Sequence, residues 1–244
     1  MKSIGEIKAE LQAACEDELP DFITCYKADE RAGVQKLVES AGKRIQALEK
    51  EKARIEALRV YEEEYREFDF ICGIDEVGRG PLAGPVVAGA VILPRDCRIL
   101  YINDSKQLSE KKREELYSVI QKEAVSCAVG YASPERIDEI NILQATYEAM
   151  RQAIGNLSVK PDLLLNDAVT IPKVEIPQVP IIKGDAKSIS IAAASIIAKV
   201  YRDRLMVQYD DIFPGYGFAG NKGYGSQAHM DAIRTLGPTP IHRR

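Results

Sequence analysis

The sequence predicts an α/β fold in which a mixed five-stranded sheet is flanked by helices. Two observations support this prediction. Two apolar runs rich in β-branched residues, Phe70–Ile74 and Val86–Leu93, lie on either side of a glycine turn and indicate a hairpin of antiparallel strands. Beyond the hairpin, strand-like and helix-like segments alternate, as they do where helical crossovers connect the strands of a mixed sheet.

The predicted elements follow in chain order. Helical spacing at residues 4–15 is followed by a break at Pro20 and by a charged helical stretch from about Ala32 to Arg66. After the hairpin come a helix, a third strand, a helical stretch ending at Gly155, two short buried strands and a long apolar helix. These later elements are predicted at Ser109–Lys122, Ser126–Ala132, 134–157, Leu163–Asn166, Val179–Ile182 and Ser188–Tyr209.

We therefore expect an N-terminal helical extension over residues 1–68 and a sheet-containing body with C-terminal helices over residues 69–244. The apolar positions of the extension fall roughly on one helical face, so it either packs on the body or contacts a partner. Residues 1–70 hold 12 basic and 17 acidic side chains, whereas residues 183–244 hold 9 basic and 5 acidic ones. A basic C-terminal end suits a phosphate backbone, although ordinary surface charge explains the same numbers.

The cysteines and the apolar runs indicate the compartment. The five cysteines form neither CxxC pairs nor a disulfide-like framework, which suits a reducing cytoplasm. The N-terminus lacks the apolar region of a signal peptide, and no apolar run approaches the roughly 20 residues that span a bilayer. We expect a cytoplasmic monomer that acts away from membranes.

The glycine turn after the first strand resembles a dinucleotide-binding pattern, because Gly78, Gly80 and Gly84 give GxGxxxG. That fingerprint requires a helix directly after the glycines. Here Pro85 is followed by a short β-branched run, which predicts a strand. The pattern therefore argues against a dinucleotide site.

Four carboxylates differ from the others because they follow apolar strands. Asp75 and Glu76 come after one strand, and Asp167 and Asp185 come after two later strands. Strand ends at one edge of an α/β sheet can converge, and converging carboxylates repel one another unless cations neutralise them. Arg79 supplies only one charge, so two Mg²⁺ or Mn²⁺ ions and phosphoryl chemistry are one interpretation. The alternative is that Asp167 and Asp185 merely cap turns.

Nucleophilic catalysis has little support in the sequence. The chain has only two histidines, His229 and His242, and Ser195 lies inside an apolar helix without a neighbouring base. His229 is a candidate general acid or phosphate contact, and equally a structural hydrogen bonder.

Five sequence blocks, taken together and in order, closely resemble ribonuclease HII (type 2 ribonuclease H) across residues 69–244. The blocks are GIDEVGRGPLAGPVVAGAVIL at 73–93, NDSKQLS at 103–109, LLLNDAV at 163–169, IIKGDAKSISIAAASIIAKVYRDR at 181–204 and NKGYGSQAH at 221–229. The resemblance implies a ribonuclease H-like α/β fold with a small C-terminal helical subdomain. It also implies cleavage of RNA in RNA–DNA hybrids, and nicking of duplex DNA 5′ of a single ribonucleotide to leave 3′-hydroxyl and 5′-phosphate ends.

The resemblance further implies roles for individual residues. It makes Asp75, Glu76, Asp167 and Asp185 the catalytic carboxylates that bind two Mn²⁺ or Mg²⁺ ions. The resemblance also implies substrate contacts: Gly78, Arg79 and Gly80 form the GRG turn that reads the ribose 2′-hydroxyl, and Tyr224 stacks on the following sugar. It makes Lys106 a phosphate contact, with Lys183, Lys187 and Lys222 as weaker candidates for the same role. Glycine permits the close backbone approach that reading a 2′-hydroxyl requires.

The extension is the main departure from minimal family members, although some bacterial members carry a similar helical segment. Ribonuclease HIII also has an N-terminal domain, but a sheet-rich one, which the helical pattern here argues against. Two further alternatives remain: a DNA-strand nuclease or transposase of the same fold, and a hybrid-binding protein without catalysis. A GRG turn opposes the first, and four intact carboxylates oppose the second.

Overall fold

The structure is a computed structural model that describes residues 2–244. Contacts divide it into two compact units, one ending at Glu56 and the other spanning Ala57–Arg244. Residues 57–68, which the sequence groups with the extension, thus belong by their contacts to the second unit. Within the described range, no helix combines the length and apolar character needed to cross a membrane.

The first unit is helical, as predicted. Helices α1 (Ile4–Ala13), α2 (Leu19–Tyr26) and most of α3 (Ala32–Leu58) build it. The predicted break at Pro20 is in fact the first turn of α2, where the missing N–H of proline costs no hydrogen bond. The buried core of this unit consists of Ile7, Leu11, Leu19, Phe22, Val34 and Ala41.

The charged helical stretch predicted to reach Arg66 is two helices rather than one. Helix α3 ends at Leu58, and a short helix α4 (Val60–Glu64) follows. Between them, Arg59 is only 5% exposed and donates a hydrogen bond to the carbonyl oxygen of Arg95 at 2.6 Å. Arg59 and Arg95 both belong to the second unit, and a helical periodicity does not predict the turn at Arg59.

The second unit contains the predicted mixed sheet. Its strand order is β3-β2-β1-β4-β5, with antiparallel pairs β1–β2 and β2–β3 and parallel pairs β1–β4 and β4–β5. The strands are β1 (Ile71–Val77), β2 (Val86–Ile92), β3 (Ser126–Ala132), β4 (Leu163–Asp167) and β5 (Gln178–Ile181). The hairpin and the later parallel strands agree with the sequence prediction.

Helices cover both faces of the sheet. The covering helices are α7 (Ile142–Gly155) and α8 (Ile189–Ile212), while α5 (Glu110–Glu123) packs against α8 and α6 (Pro134–Ile140) packs against α7. Helix α7 packs on the face that carries Ile74, and α8 packs on the opposite face, which carries Gly73 and Asp75. A Cβ at Gly73 would lie 2.1 Å from the carbonyl carbon of Ser190, so the backbones of β1 and α8 touch.

The helical stretch predicted at 134–157 is interrupted once. Asn141 adopts a positive φ of 66° between α6 and α7, and its side chain accepts hydrogen bonds from the amides of Leu143 and Gln144. An asparagine tolerates this left-handed geometry better than most residues and here caps α7. Helix α7 ends at Gly155, as predicted.

The C-terminal part is helical, as predicted. Two short helices, α9 (Phe218–Asn221) and α10 (Gln227–Leu236), follow the end of α8. They share with the glycine-turn segment an apolar cluster of Ala83, Met206, Tyr216, Phe218 and Ile241. This cluster attaches the C-terminal segment to the loop between β1 and β2.

Candidate active site

Three of the four predicted carboxylates lie on two adjacent parallel strands. Both strands extend further than predicted, so Asp75 and Glu76 lie within β1 rather than after it, and Asp167 is the last residue of β4. The register pairs Ile74 with Asn166, which places Asp75 next to Asp167. Both strands run toward the same edge of the sheet, so the convergence expected from the sequence is present.

Asp185 reaches this edge by a turn, not as the end of a strand. It lies in a single 3₁₀ turn, Gly184–Ala186, beyond β5. Lys183, at a left-handed φ of 57°, redirects the chain, and the amide of Gly184 donates to Asp167 Oδ1 at 2.7 Å. The expectation that Asp185 ends a strand is therefore corrected, and its carboxylate still lies in the electrostatic field of Asp167.

Burial and neighbouring negative charges make the charged state of Asp75, Glu76 and Asp185 unfavourable. Burial, and then the charge of Glu76, raise the pKa of Asp75 well above its usual range, opposed by a hydrogen bond from Ser195. Burial also raises the pKa of Glu76, and Arg79, 3.3 Å from its carboxylate, opposes this shift. Burial first, and then Asp104, raise the pKa of Asp185. One arginine does not balance this charge.

The donor set fits a divalent cation. Glu76 Oε2 is buried and has no hydrogen-bond partner, and carboxylate oxygens are the ligands that Mg²⁺ and Mn²⁺ prefer. Within residues 2–244, no three Asp, Glu, His or Cys side chains are grouped so that they hold one ion as they stand.

Two arginines, which the sequence analysis did not identify, donate hydrogen bonds to backbone carbonyl oxygens of the glycine turn. Gly78 has a φ of 92°, and a Cβ there would lie 2.4 Å from Arg202 Nε, so only glycine fits. Fully buried Arg202 donates to the carbonyl oxygens of Pro85 and Ala83, at 2.9 and 3.1 Å. Arg243 donates to Gly78 O at 2.5 Å. The sequence carried no signal for Arg202, because Lys199, Asp203 and Arg204 of the same helix are charged as well.

Tyr224 lies on an exposed loop beside this turn. Tyr224 is 44% exposed, and its carbonyl oxygen accepts a hydrogen bond from His229 Nδ1 at 2.8 Å. The amide of Leu82 donates to the carbonyl oxygen of Gly223 at 2.9 Å, which ties the two loops together. The structure thus brings Tyr224 and the GRG turn to one region.

Lys106 faces the carboxylates. Burial alone would lower its pKa, but the negative charges of Asp104, Asp75 and other carboxylates of the site raise it. Its backbone amide is fixed by Asp104 Oδ1 at 2.9 Å. Of the weaker candidates, Lys187 is exposed, whereas Lys222 is turned back onto the carbonyl oxygen of Ala219.

A pair of buried hydroxyls supports Asp75, and sequence reasoning missed its role. The hydroxyl of Ser195 on α8 acts to lower the pKa of Asp75, and its Oγ lies 2.9 Å from Oγ of Ser105, the residue before Lys106. The signal was a small polar residue inside an apolar helix. His229, in contrast, is fully buried with both ring nitrogens hydrogen-bonded, so its geometry is that of a structural hydrogen bonder.

Comparisons with known proteins agree with this architecture. The ribonuclease HII family profile matches residues 72–244, and the profile of the ribonuclease HII N-terminal domain matches residues 3–66. A ribonuclease HII of Lachnoclostridium phytofermentans is 65% identical over 240 residues, which cover 98% of this chain and 94% of that protein. The ribonuclease HII of Clostridioides difficile is 49% identical, over 100% of this chain and 96% of that protein.

Solved structures give the same fold. Ribonuclease H2 from Pyrococcus horikoshii OT3 matches with a TM-score of 0.59 and 31% identity, covering 72% of this chain and 92% of that chain. Bst-RNase HIII in complex with Mn²⁺ matches with a TM-score of 0.51 and 19% identity, covering 69% of this chain and 63% of that chain, a likeness of fold alone.

The fold and these matches define a nuclease of the ribonuclease H class, an enzyme that hydrolyses phosphodiester bonds in RNA–DNA. Within that class, the chain belongs to the ribonuclease HII family, over both its N-terminal segment and its catalytic part.

Proposed function

We propose that this endonuclease cleaves the RNA strand of RNA–DNA hybrids and also nicks duplex DNA on the 5′ side of a single embedded ribonucleotide. The products would carry 3′-hydroxyl and 5′-phosphate ends. The observation that carries the proposal is the placement of Asp75, Glu76 and Asp167 on two adjacent parallel strands beside the glycine turn, with Asp185 in the electrostatic field of Asp167. Buried carboxylates with strongly raised pKa values are typical of functional sites, and here they would bind a cation that in turn binds phosphate.

Asp75, Glu76, Asp167 and Asp185 are the residues that would hold two Mn²⁺ or Mg²⁺ ions. When bound, such ions activate water and neutralise charge on the leaving oxygen in phosphoryl displacement. The chain itself orients the carboxylates: the amide of Gly184 donates to Asp167, the amide of Glu76 donates to Asp75 Oδ1, and Arg79 pairs with Glu76. The Mn²⁺ in the Bst-RNase HIII structure is consistent with this choice of metals.

Selection of a ribonucleotide is assigned to Gly78, Arg79 and Gly80 together with Tyr224. The backbone of the turn is rigid because Arg202 and Arg243 hold its carbonyls, so it can present polar groups to a 2′-hydroxyl at a fixed position. The exposed ring of Tyr224 provides a flat surface for the following deoxyribose. Together these features would favour an RNA–DNA junction.

Lys106 is the proposed phosphate contact, because it is the cation that lies in the field of three of the carboxylates. Its neighbour Ser105 is anchored to α8 through Ser195, which holds the lysine near the site. The free cysteines of the described chain fit a cytoplasmic location, and we propose that the enzyme works there as a monomer on nucleic acid.

The decisive experiment uses a duplex DNA that contains one ribonucleotide, with Mn²⁺ or Mg²⁺ and with the cut site mapped. The proposal predicts one metal-dependent nick on the 5′ side of the ribonucleotide and no cleavage of the matched all-DNA duplex. Equal cleavage of both duplexes would instead support a DNA-strand nuclease. Binding without any cleavage would support a hybrid-binding protein.

A further inference from the structure

Helix α4 reaches the N-terminus of the long helix α8. Glu62 Oε1 accepts a hydrogen bond from Ser188 Oγ at 2.6 Å and another from the backbone amide of Ser190 at 3.0 Å. Ser188 is the N-cap residue of α8, and its Oγ also accepts from the amide of Ile191 at 3.2 Å. Glu62 thus satisfies an amide of the first turn that the N-cap serine does not reach.

A short chain of hydrogen bonds connects this contact to the catalytic carboxylates. The backbone amide of Ser188 donates to the carbonyl oxygen of Gly184 at 2.8 Å. The amide of Gly184 in turn donates to Asp167 Oδ1 at 2.7 Å. Asp185 lies between these two anchor points, so the position of Ser188 fixes the turn that carries Asp185.

The charge of Glu62 suits this position. A carboxylate at a helix N-terminus is stabilised by the helix dipole, and its hydrogen bonds from amides and hydroxyls are stronger than neutral ones. Its second oxygen, Oε2, is buried without a hydrogen-bond partner, so the two bonds through Oε1 are the polar contacts that hold the side chain. The side chain therefore acts on the start of α8.

We propose that Glu62 is a positioning residue for the metal site: it fixes Ser188, and through Ser188 the turn that places Asp185 beside Asp167. Glu62 touches neither substrate nor metal. The inference rests on the proposed function, and it makes a segment that the sequence groups with the extension part of the catalytic apparatus.

The test compares Glu62→Ala with Glu64→Ala in the full-length protein, because Glu64 is exposed on the same helix and its loss changes the charge equally. Glu62→Ala should raise the Kd for Mn²⁺, measured by titration calorimetry, by about 10-fold, as loss of an outer-shell partner does. It should also speed hydrogen exchange at amides 184–191 in the metal-free protein. Glu64→Ala should match the wild type in both measurements.

Glu62→Gln provides a second variant that keeps the shape and the accepting oxygen. Since charge-assisted hydrogen bonds are about twice as strong as neutral ones, its loss of Mn²⁺ affinity should be smaller, about 3-fold. Wild-type Mn²⁺ affinity and exchange in both Glu62 variants would overturn the inference, and so would equal losses in Glu64→Ala. Asp75→Asn serves as the separate control, because cleavage that survives there contradicts the proposed function whatever Glu62 does.

Discussion

Two buried histidines determine the position of Tyr224. The amide of Thr239 donates to His242 Nδ1 at 2.8 Å, so the proton of that ring is on Nε2. Nε2 then donates to His229 Nε2 at 3.0 Å, and His229 Nδ1 donates to the carbonyl oxygen of Tyr224. This assignment makes both rings neutral.

The histidine pair predicts a pH dependence of stability. Burial first, and then His229, lower the pKa of His242 below 6.5. The unfolded chain therefore takes up this proton at a higher pH than the folded protein, and the free energy of unfolding falls as the pH drops below 6.5. We expect the Tm advantage of the wild type over His242→Gln to shrink between pH 7.5 and pH 5. A constant difference in Tm across this range would contradict the neutral-pair assignment.

Replacing Tyr224 tests its stacking role. Tyr224→Ala should reduce single-ribonucleotide cleavage by roughly 5- to 150-fold, because stacking on an aromatic side chain is worth about 1–3 kcal/mol. Tyr224→Phe should keep much more activity, since the ring face survives. Single-turnover rates give the comparison. Equal losses would assign the role to the hydroxyl, and an unaffected alanine variant would remove Tyr224 from the site.

At the scale of elements, the sequence was sufficient to predict those strands and helices whose positions are determined by periodicity and apolar runs. It predicted all five strands and the C-terminal end of α7, because a strand or helix face must be buried. It did not predict the turns at Arg59 and Asn141 or the 3₁₀ turn of Asp185, because single side chains with distant or local polar partners fix these. The four carboxylates could be singled out because each follows an apolar run in the sequence, although Asp75, Glu76 and Asp167 lie within strands.

The contact between β1 and α8 leads to a prediction about Gly73. In Gly73→Ala the new Cβ would overlap the backbone of Ser190. A backbone inside a helix cannot move aside as the end of a flexible side chain can. We expect a loss of at least about 3 kcal/mol in unfolding free energy, measured by urea denaturation, and reduced cleavage. Gly155→Ala is the matched control, since nothing lies within 4 Å of its Cβ position. A stable, fully active Gly73→Ala variant would show that α8 can shift without consequence.

On the scale of the whole molecule, every proposed catalytic and substrate-binding residue lies in the unit that spans Ala57–Arg244. Removing residues 2–56 should therefore leave cleavage of short substrates intact. Removing residues 2–68 should reduce it, because Arg59 and Glu62 are lost with their contacts to Arg95 and Ser188. Cleavage assays on both truncated proteins, with circular dichroism to verify folding, make the comparison. An inactive but folded 57–244 protein would give the first unit a direct role in catalysis.

The converging carboxylates are proposed to form a metal-dependent hydrolytic site, and the loss of one of them tests this role. The most direct measurement is the single-turnover cleavage rate of a duplex with one ribonucleotide by Asp75→Asn, at saturating Mn²⁺. Because Asn removes a buried charge that its neighbours repel, the metal-free variant should be at least as heat-stable as the wild type. Its cleavage rate should fall about 10²-fold or more, as expected for a group that acts in the transition state. Near-normal cleavage by this folded variant would contradict the assignment of the site.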